Sequence, residues 1–137
     1  MGERSKWVLF YIIFFNYKVM HPNHLIAIQW FKAFNEHRLD DLLSLYDEDA
    51  EHYSPKLKIY QPATNGLIKG KTALRGWWQD AFERLPHLHY KVLNIIANDD
   101  SVFMEYIRQT PNEPDMQVGE VLEIAQKKIV SSRVYHS

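Results

Sequence analysis

Apolar positions follow a helical period through the first two-thirds of the chain and a strand period through the last third. In "HPNHLIAIQWFKAFN" Ile26, Trp30 and Phe34, with Ile28 and Phe31, recur at helical spacing. Pro22 suits the first turn of that helix and Asn23 its cap. After a break at "EHRLD", Leu39, Leu42, Leu43 and Tyr46 form a second stripe. Asp40 and Asp41 stand in its first turn, where the macrodipole favours anions. This second helix is expected to run into Asp47, Glu48 and Asp49, so the acidic cluster, with Glu51 beyond it, reads as a solvated helix end. "EHYSP" alternates like a short strand and stops at Pro55. Residues 55–70 hold two prolines, two glycines and Asn65-Gly66, which predicts a long loop. In "KTALRGWWQDAFERLP" Ala73, Trp77, Trp78, Ala81, Phe82 and Leu85 give a third helix one broad apolar face, ended by Pro86. Trp77 and Trp78 lie about 100° apart on it, so one is expected to face inward and the other outward. The period then becomes 2. Strands are predicted over 87–98, 101–110, 116–125 and 129–137, with turns at Asn98-Asp99-Asp100, 111–115 and 126–128. Helices followed by a four-strand antiparallel meander make an α+β plan.

Composition narrows the classes. The 137 residues suit one domain with a real core, and 46% apolar content excludes wholesale disorder. A net charge of −1, with both signs interspersed, gives no basic stripe for nucleic acid. The absence of cysteine excludes a disulfide scaffold and thiolate metal sites. No phosphate loop, dinucleotide fingerprint or nucleophile elbow is present, so no cofactor is expected. His87 and His89 share a strand face, but no third ligand is evident, so no metal is expected.

The N-terminal "WVLFYIIFF" (Trp7 to Phe15), behind Arg4 and Lys6, resembles the start of a secretory signal. It is too short to span a bilayer, and no small-x-small cleavage site follows. Three readings stay open: an upstream extension with Met20 as the natural start, a membrane-associating or signal segment, or an extra strand or helix packed on the domain. The domain organisation is therefore residues 1–19 as an extension of uncertain status and 20–137 as the folded unit, placed in the cytoplasm without stable membrane insertion.

"WFKAFNEHRLDDLLSLYDEDAEHYSP", then "IKGKTALRGWW", then "VGEVLEIAQKKIVSSRVYH" resemble the SnoaL-like polyketide cyclase and ketosteroid isomerase group of the nuclear transport factor 2-like superfamily. The likeness covers residues 24–136. It implies a cone-shaped half-barrel: three N-terminal helices packed on a curved antiparallel sheet around an apolar pocket. It also implies a pocket wall, with Trp30 and Phe34 from the first helix, Ser54 at the mouth and Trp78 from the third helix. With one strand face selected by the period of 2, the wall adds Met104, Tyr106, Arg108, Glu120, Leu122, Ser132, Val134 and His136. In ketosteroid isomerases the residue before the proline of this stretch is an aspartate, the general base; here it is Ser54. Trp30 and Trp78 stand where that family has tyrosines. A hydroxyl and two indoles do not supply that isomerase chemistry.

Glu120 interrupts an apolar strand at roughly the position of the family's second acid. A carboxyl facing an apolar pocket has a raised pKa and suits acid or base work. The alternative is a structural pair with Arg108 on the neighbouring strand. His52 and His136 are expected near the mouth, His136 as a proton carrier beside Glu120. Two functions follow. One is a cofactor-independent isomerase, cyclase or hydrolase for a small hydrophobic ligand, with Glu120, His136 and Tyr106 catalytic and Trp30, Phe34, Ser54, Trp78, Met104, Arg108, Ser132 and Val134 holding substrate. The other is a non-catalytic binding domain or dimeric scaffold. A homodimer is expected through the convex face carrying Phe103, Ile107, Val121 and Tyr135.

Overall fold

A computed structural model describes residues 20–137; Trp7 to Phe15 lies outside the described residues. Helix α1 spans Pro22–Asn35, α2 Leu39–Ser44, α3 Pro55–Tyr60 and α4 Lys71–Arg84. Strands are β1 Tyr46–Tyr53, β2 Leu67–Lys69, β3 His89–Ala97, β4 Ser101–Gln109, β5 Met116–Ala125 and β6 Lys128–Tyr135. They form one six-stranded sheet in the order β2-β1-β6-β5-β4-β3. The architecture is α+β: a curved, unclosed sheet with α1 and α4 packed on its inner face.

The meander of β3 to β6 is as the alternation predicts, but the sheet is larger. β1 joins β6 in parallel, an arrangement that two distant segments make and no local pattern announces. It starts at Tyr46, so the second helix ends earlier than its apolar stripe suggests. Tyr46 pairs with Ile129, while the next pairing joins Glu51 to Ser131. The acidic cluster Asp47, Glu48 and Asp49 is the segment bulged out between them, and all three are exposed. The expected helix end is thus a solvated strand irregularity. Residues 55–70 are not a plain loop either. They hold α3, a 3-10 turn at Pro62–Thr64, and β2, which pairs with β1.

Local chemistry sets the remaining boundaries. The cap of α1 is His21, whose Nδ1 accepts from the Asn23 N–H at 3.0 Å. Asn23, expected as the cap, instead donates from Nδ2 to the carbonyls of Asn98 (2.9 Å) and Asp99 (3.2 Å), tying the helix to the β3–β4 turn. His37, at φ 54°, breaks α1 from α2. Ser54 caps α3 by accepting from the Lys56 N–H at 3.2 Å, ahead of Pro55 at the first helical position. α1 buries Ala27, Trp30, Phe31, Ala33 and Phe34, whereas Ile28 is exposed. α4 buries Leu74, Trp77 and Trp78, and Ala73 faces solvent.

On the sheet the inward face carries Val102, Met104, Tyr106 and Arg108 on β4 and Val118, Glu120 and Leu122 on β5, all buried. The opposite face of β4 to β6 leaves Phe103 and Tyr135 exposed, with Ile107 and Val121 half-buried. β3 breaks the rule of 2. A register shift between Val92 and Asn94 flips its parity, so Tyr90 packs inward before the bulge and Ile95 and Ala97 after it.

Candidate functional site

Between α1, α3, α4 and the concave face of β1 and β3 to β6 lies a cavity of about 60 Å³. By the size rule for buried waters this is room for about four of them. Its walls are largely aromatic. Trp30 stacks on Phe34 (centroids 5.3 Å), Phe34 on Tyr90 (4.0 Å) and Tyr90 on Tyr106 (4.2 Å). Such offset ring pairs contribute about 0.5–1.5 kcal/mol each beyond their buried area, so this wall is rigid. Trp77 and Trp78 both line the cavity and both are buried, so neither packs outward.

Glu120 sits in this wall, 1% exposed. Its Oε1 accepts a hydrogen bond from the Tyr106 hydroxyl at 2.7 Å, and its Oε2 is buried with no partner. Burial pushes the carboxyl from its ordinary 4.5 up to about 7, against the smaller opposing effect of the Tyr106 bond. The expected pair with Arg108 does not form. Arg108 is directed to Glu113, in the β4–β5 turn, at 3.1 Å. Register explains this: Glu120 lies opposite Met104, and Arg108 lies opposite Met116, two inward positions farther along the strand.

His136 follows the end of β6. Its Nε2 is buried and unpartnered, while its Nδ1 contacts the Ser137 carbonyl at 3.1 Å. Glu120 pairs with Val134 across β5 and β6, which puts His136 on the same face one inward step away. Glu120 and His136 thus supply the two buried side-chain atoms without a hydrogen bond among the described residues, and both line the cavity.

A second polar chain runs behind the rings. The Trp30 indole N–H donates to the Tyr46 hydroxyl at 3.0 Å, and Tyr46 donates to the Ser132 hydroxyl at 3.0 Å. Ser132 Oγ lies 2.7 Å from His52 Nδ1. An indole can only donate, so the chain has one direction in which every hydroxyl hydrogen is used: Ser132 donates to His52 Nδ1. That leaves the proton of neutral His52 on Nε2. Burial lowers the imidazole pKa from 6.5 to about 4, with a smaller opposing effect of the Ser132 backbone, so the ring is neutral at pH 7. His52 lines the cavity as a hydrogen-bond donor of fixed tautomer.

Of the residues named from sequence, Trp30, Phe34, Ser54, Trp78, Tyr106, Arg108, Glu120, Val134 and His136 all line this cavity. Met104, Leu122 and Ser132 do not, Leu122 being packed in the core. Met104 is packed in the core and Ser132 acts one step back, through His52. Ser54 is spent on capping α3. Tyr46, Lys56, Tyr60, Arg84 and Tyr90 carry parts of the site that sequence reasoning missed. The bulge hid the face of Tyr90, and the apparent loop hid the helix bearing Lys56 and Tyr60. Among the described residues no group of three His, Asp or Glu side chains is placed to hold a metal ion.

The SnoaL-like domain matches residues 27–132. The chain belongs to that family. The SnoaL-like domain has neighbours among solved structures. A SnoaL-like protein of unknown function from Burkholderia thailandensis is 24% identical, with a TM-score of 0.75 over 85% of this chain and 93% of that one. A hypothetical protein from Catenulispora acidiphila with a ketosteroid isomerase-like fold, in complex with trimethylamine, is 18% identical, with a TM-score of 0.65 over 82% and 85% of the two chains. An uncharacterised cystatin-fold protein from Novosphingobium aromaticivorans is 19% identical, with a TM-score of 0.70 over 83% and 97%. At these identities the likeness is one of fold. No curated protein matches the chain. No helix of the described residues is long and apolar enough to cross a membrane.

Proposed function

We propose that this SnoaL-like domain is a cofactor-independent enzyme that moves a proton on a small, largely apolar substrate, with Glu120 as the proton-transfer group. The observation that carries this reading is the free Oε2 of a fully buried carboxyl on the cavity wall. A purely structural glutamate is satisfied by a cation or by several donors; this one has a single hydroxyl partner and an unengaged buried oxygen in the cavity wall. A carboxyl held at about 7 is half-protonated at neutral pH, the condition under which one group both takes and returns a proton. His52, neutral and donating from Nε2, suits an oxygen of the substrate on which negative charge develops. His136 offers a second unpaired nitrogen for proton relay, and Tyr106 positions the Glu120 carboxyl. The Trp30, Phe34 and Tyr90 rings hold the apolar body.

The size of the cavity favours a compact substrate over a fused-ring one, which needs several hundred Å³. The Catenulispora acidiphila neighbour in complex with trimethylamine is a protein of this fold that takes up a molecule of that scale.

The test is a thermal-shift screen of small ketones, enones, lactones and epoxides, followed by product analysis with the wild type and Glu120→Gln. A hit turned over by the wild type, with kcat reduced about 100-fold or more in the variant, is the expected result. A ligand bound equally by both proteins, with no product from either, assigns the domain to the non-catalytic binding class instead.

A further inference from the structure

The rim of the same cavity is cationic. Lys56 on α3, Arg84 at the end of α4 and Arg108 on β4 all line it. Arg108 is 6% exposed, Lys56 is half-buried and Arg84 is exposed, which orders them from the interior outward. Two of the three are matched within the chain: Arg84 pairs with Asp80 at 2.7 Å and Arg108 with Glu113 at 3.1 Å. Lys56 forms no ion pair among the described residues. Arg84 also lies over the Tyr60 ring, 4.7 Å from its centroid, which holds the guanidinium at the rim. The ammonium of Lys56 is held below its ordinary pKa first by burial and then by Arg108, with Glu113 acting the other way.

Like charges brought together at a buried rim cost free energy unless an anion joins them. The Glu113 contact uses a single nitrogen of Arg108, and a guanidinium has further donors in a planar fork. Deeper in, the cavity offers aromatic surface and the unpartnered Glu120 and His136 atoms.

From this arrangement we infer that the site takes a small organic monoanion: a carboxylate head held at the rim by Lys56 and Arg108, with a short apolar body directed inward toward Glu120. One unmatched cation suits a single negative charge better than a doubly charged phosphate, and the aromatic wall suits a hydrocarbon body. Two inward positions separate Arg108 from the residue opposite Glu120, about 13 Å along the strand at 3.3 Å per residue. This inference rests on the proposed site, but its test needs no turnover.

Isovalerate and isovaleramide differ in charge and little in shape. Their binding is measured at pH 7 and low salt from the indole N–H resonances of Trp30, Trp77 and Trp78. The expected result is isovalerate binding at least tenfold tighter than the amide, the scale of one charge-assisted hydrogen bond. Lys56→Gln and Arg108→Gln should each remove most of that preference, by weakening acid binding far more than amide binding. Should Arg108→Gln fail to fold, the half-exposed Lys56→Gln carries the test alone. Equal binding of acid and amide, no binding of either, or a preference that survives Lys56→Gln overturns the assignment. Turnover of a neutral substrate lost in Glu120→Gln, together with no acid preference, would sink the monoanion and leave the catalytic role of Glu120 standing.

Discussion

Replacing Glu120 by glutamine changes how stability depends on pH, and the structure sets both the sign and the size. The folded-state pKa of about 7 lies above the ordinary 4.5. Between those values the folded protein binds a proton that the unfolded chain has released, so unfolding free energy falls as pH rises. The contribution is fully present below about pH 4.5 and is lost by about pH 8. A rise of about 2.5 pH units at 1.36 kcal/mol each comes to about 3 kcal/mol. Burial at 1% exposure leaves little solvent to screen it.

The wild-type profile alone hides this, because His52 opposes it. Its pKa is lowered from 6.5 to about 4, so its contribution is present above pH 6.5 and is lost as pH falls toward 4. From pH 4.5 to 6.5 the two slopes nearly cancel. Glu120→Gln keeps the His52 effect and removes the other. Gln can still accept from Tyr106, and whatever its amide nitrogen costs beside the cavity does not vary with pH. Urea denaturation of both proteins at pH 4.5, 6 and 8 isolates the difference. The stability of Glu120→Gln minus that of the wild type should grow by about 3 kcal/mol from the lowest to the highest pH. A difference that stays constant would refute the reasoning, since the carboxyl would then titrate as an ordinary solvated one.

Two further predictions concern the fold. Ser132→Ala strands the Tyr46 hydroxyl hydrogen and the His52 Nδ1 acceptor, both buried, and should cost about 2–6 kcal/mol in chemical denaturation at 1–3 kcal/mol for each group left unpaired; a loss under 1 kcal/mol would argue against the directional chain. Gly66 has φ +89°, and an added Cβ would stand 2.8 Å from Tyr53 Cε2, whereas Gly76 inside α4 has open space around it. Gly66→Ala should therefore destabilise by about 1–3 kcal/mol and Gly76→Ala should stabilise by about 0.5–1 kcal/mol, opposite shifts readable in one melting experiment.

What the amino-acid sequence determined by itself is local in origin. Alternation in "VFMEYIRQ" and "VGEVLEI" placed Met104, Tyr106, Arg108, Glu120 and Leu122 on one face, because side chains on a strand repeat every two residues whatever the strand pairs with. Pro22 and Pro86 marked helix ends, and Pro55 the end of a strand, through the missing N–H. What the tertiary structure alone decided depends on partners far away in the chain. Tyr46 became a strand residue because β6 offered it an open edge; helical spacing over a few residues cannot compete with a sheet pairing it does not see. The bulge in β3 turned Tyr90 inward, and a bulge is a property of two strands together. Arg108 chose Glu113 over Glu120 because register set one turn within reach and the other carboxyl two steps away. The buried chain from Trp30 to His52 joins three separate elements, and the rim of Lys56, Arg84 and Arg108 joins three others. Their charges and hydrogen bonds gain meaning only once folding has excluded water from between them.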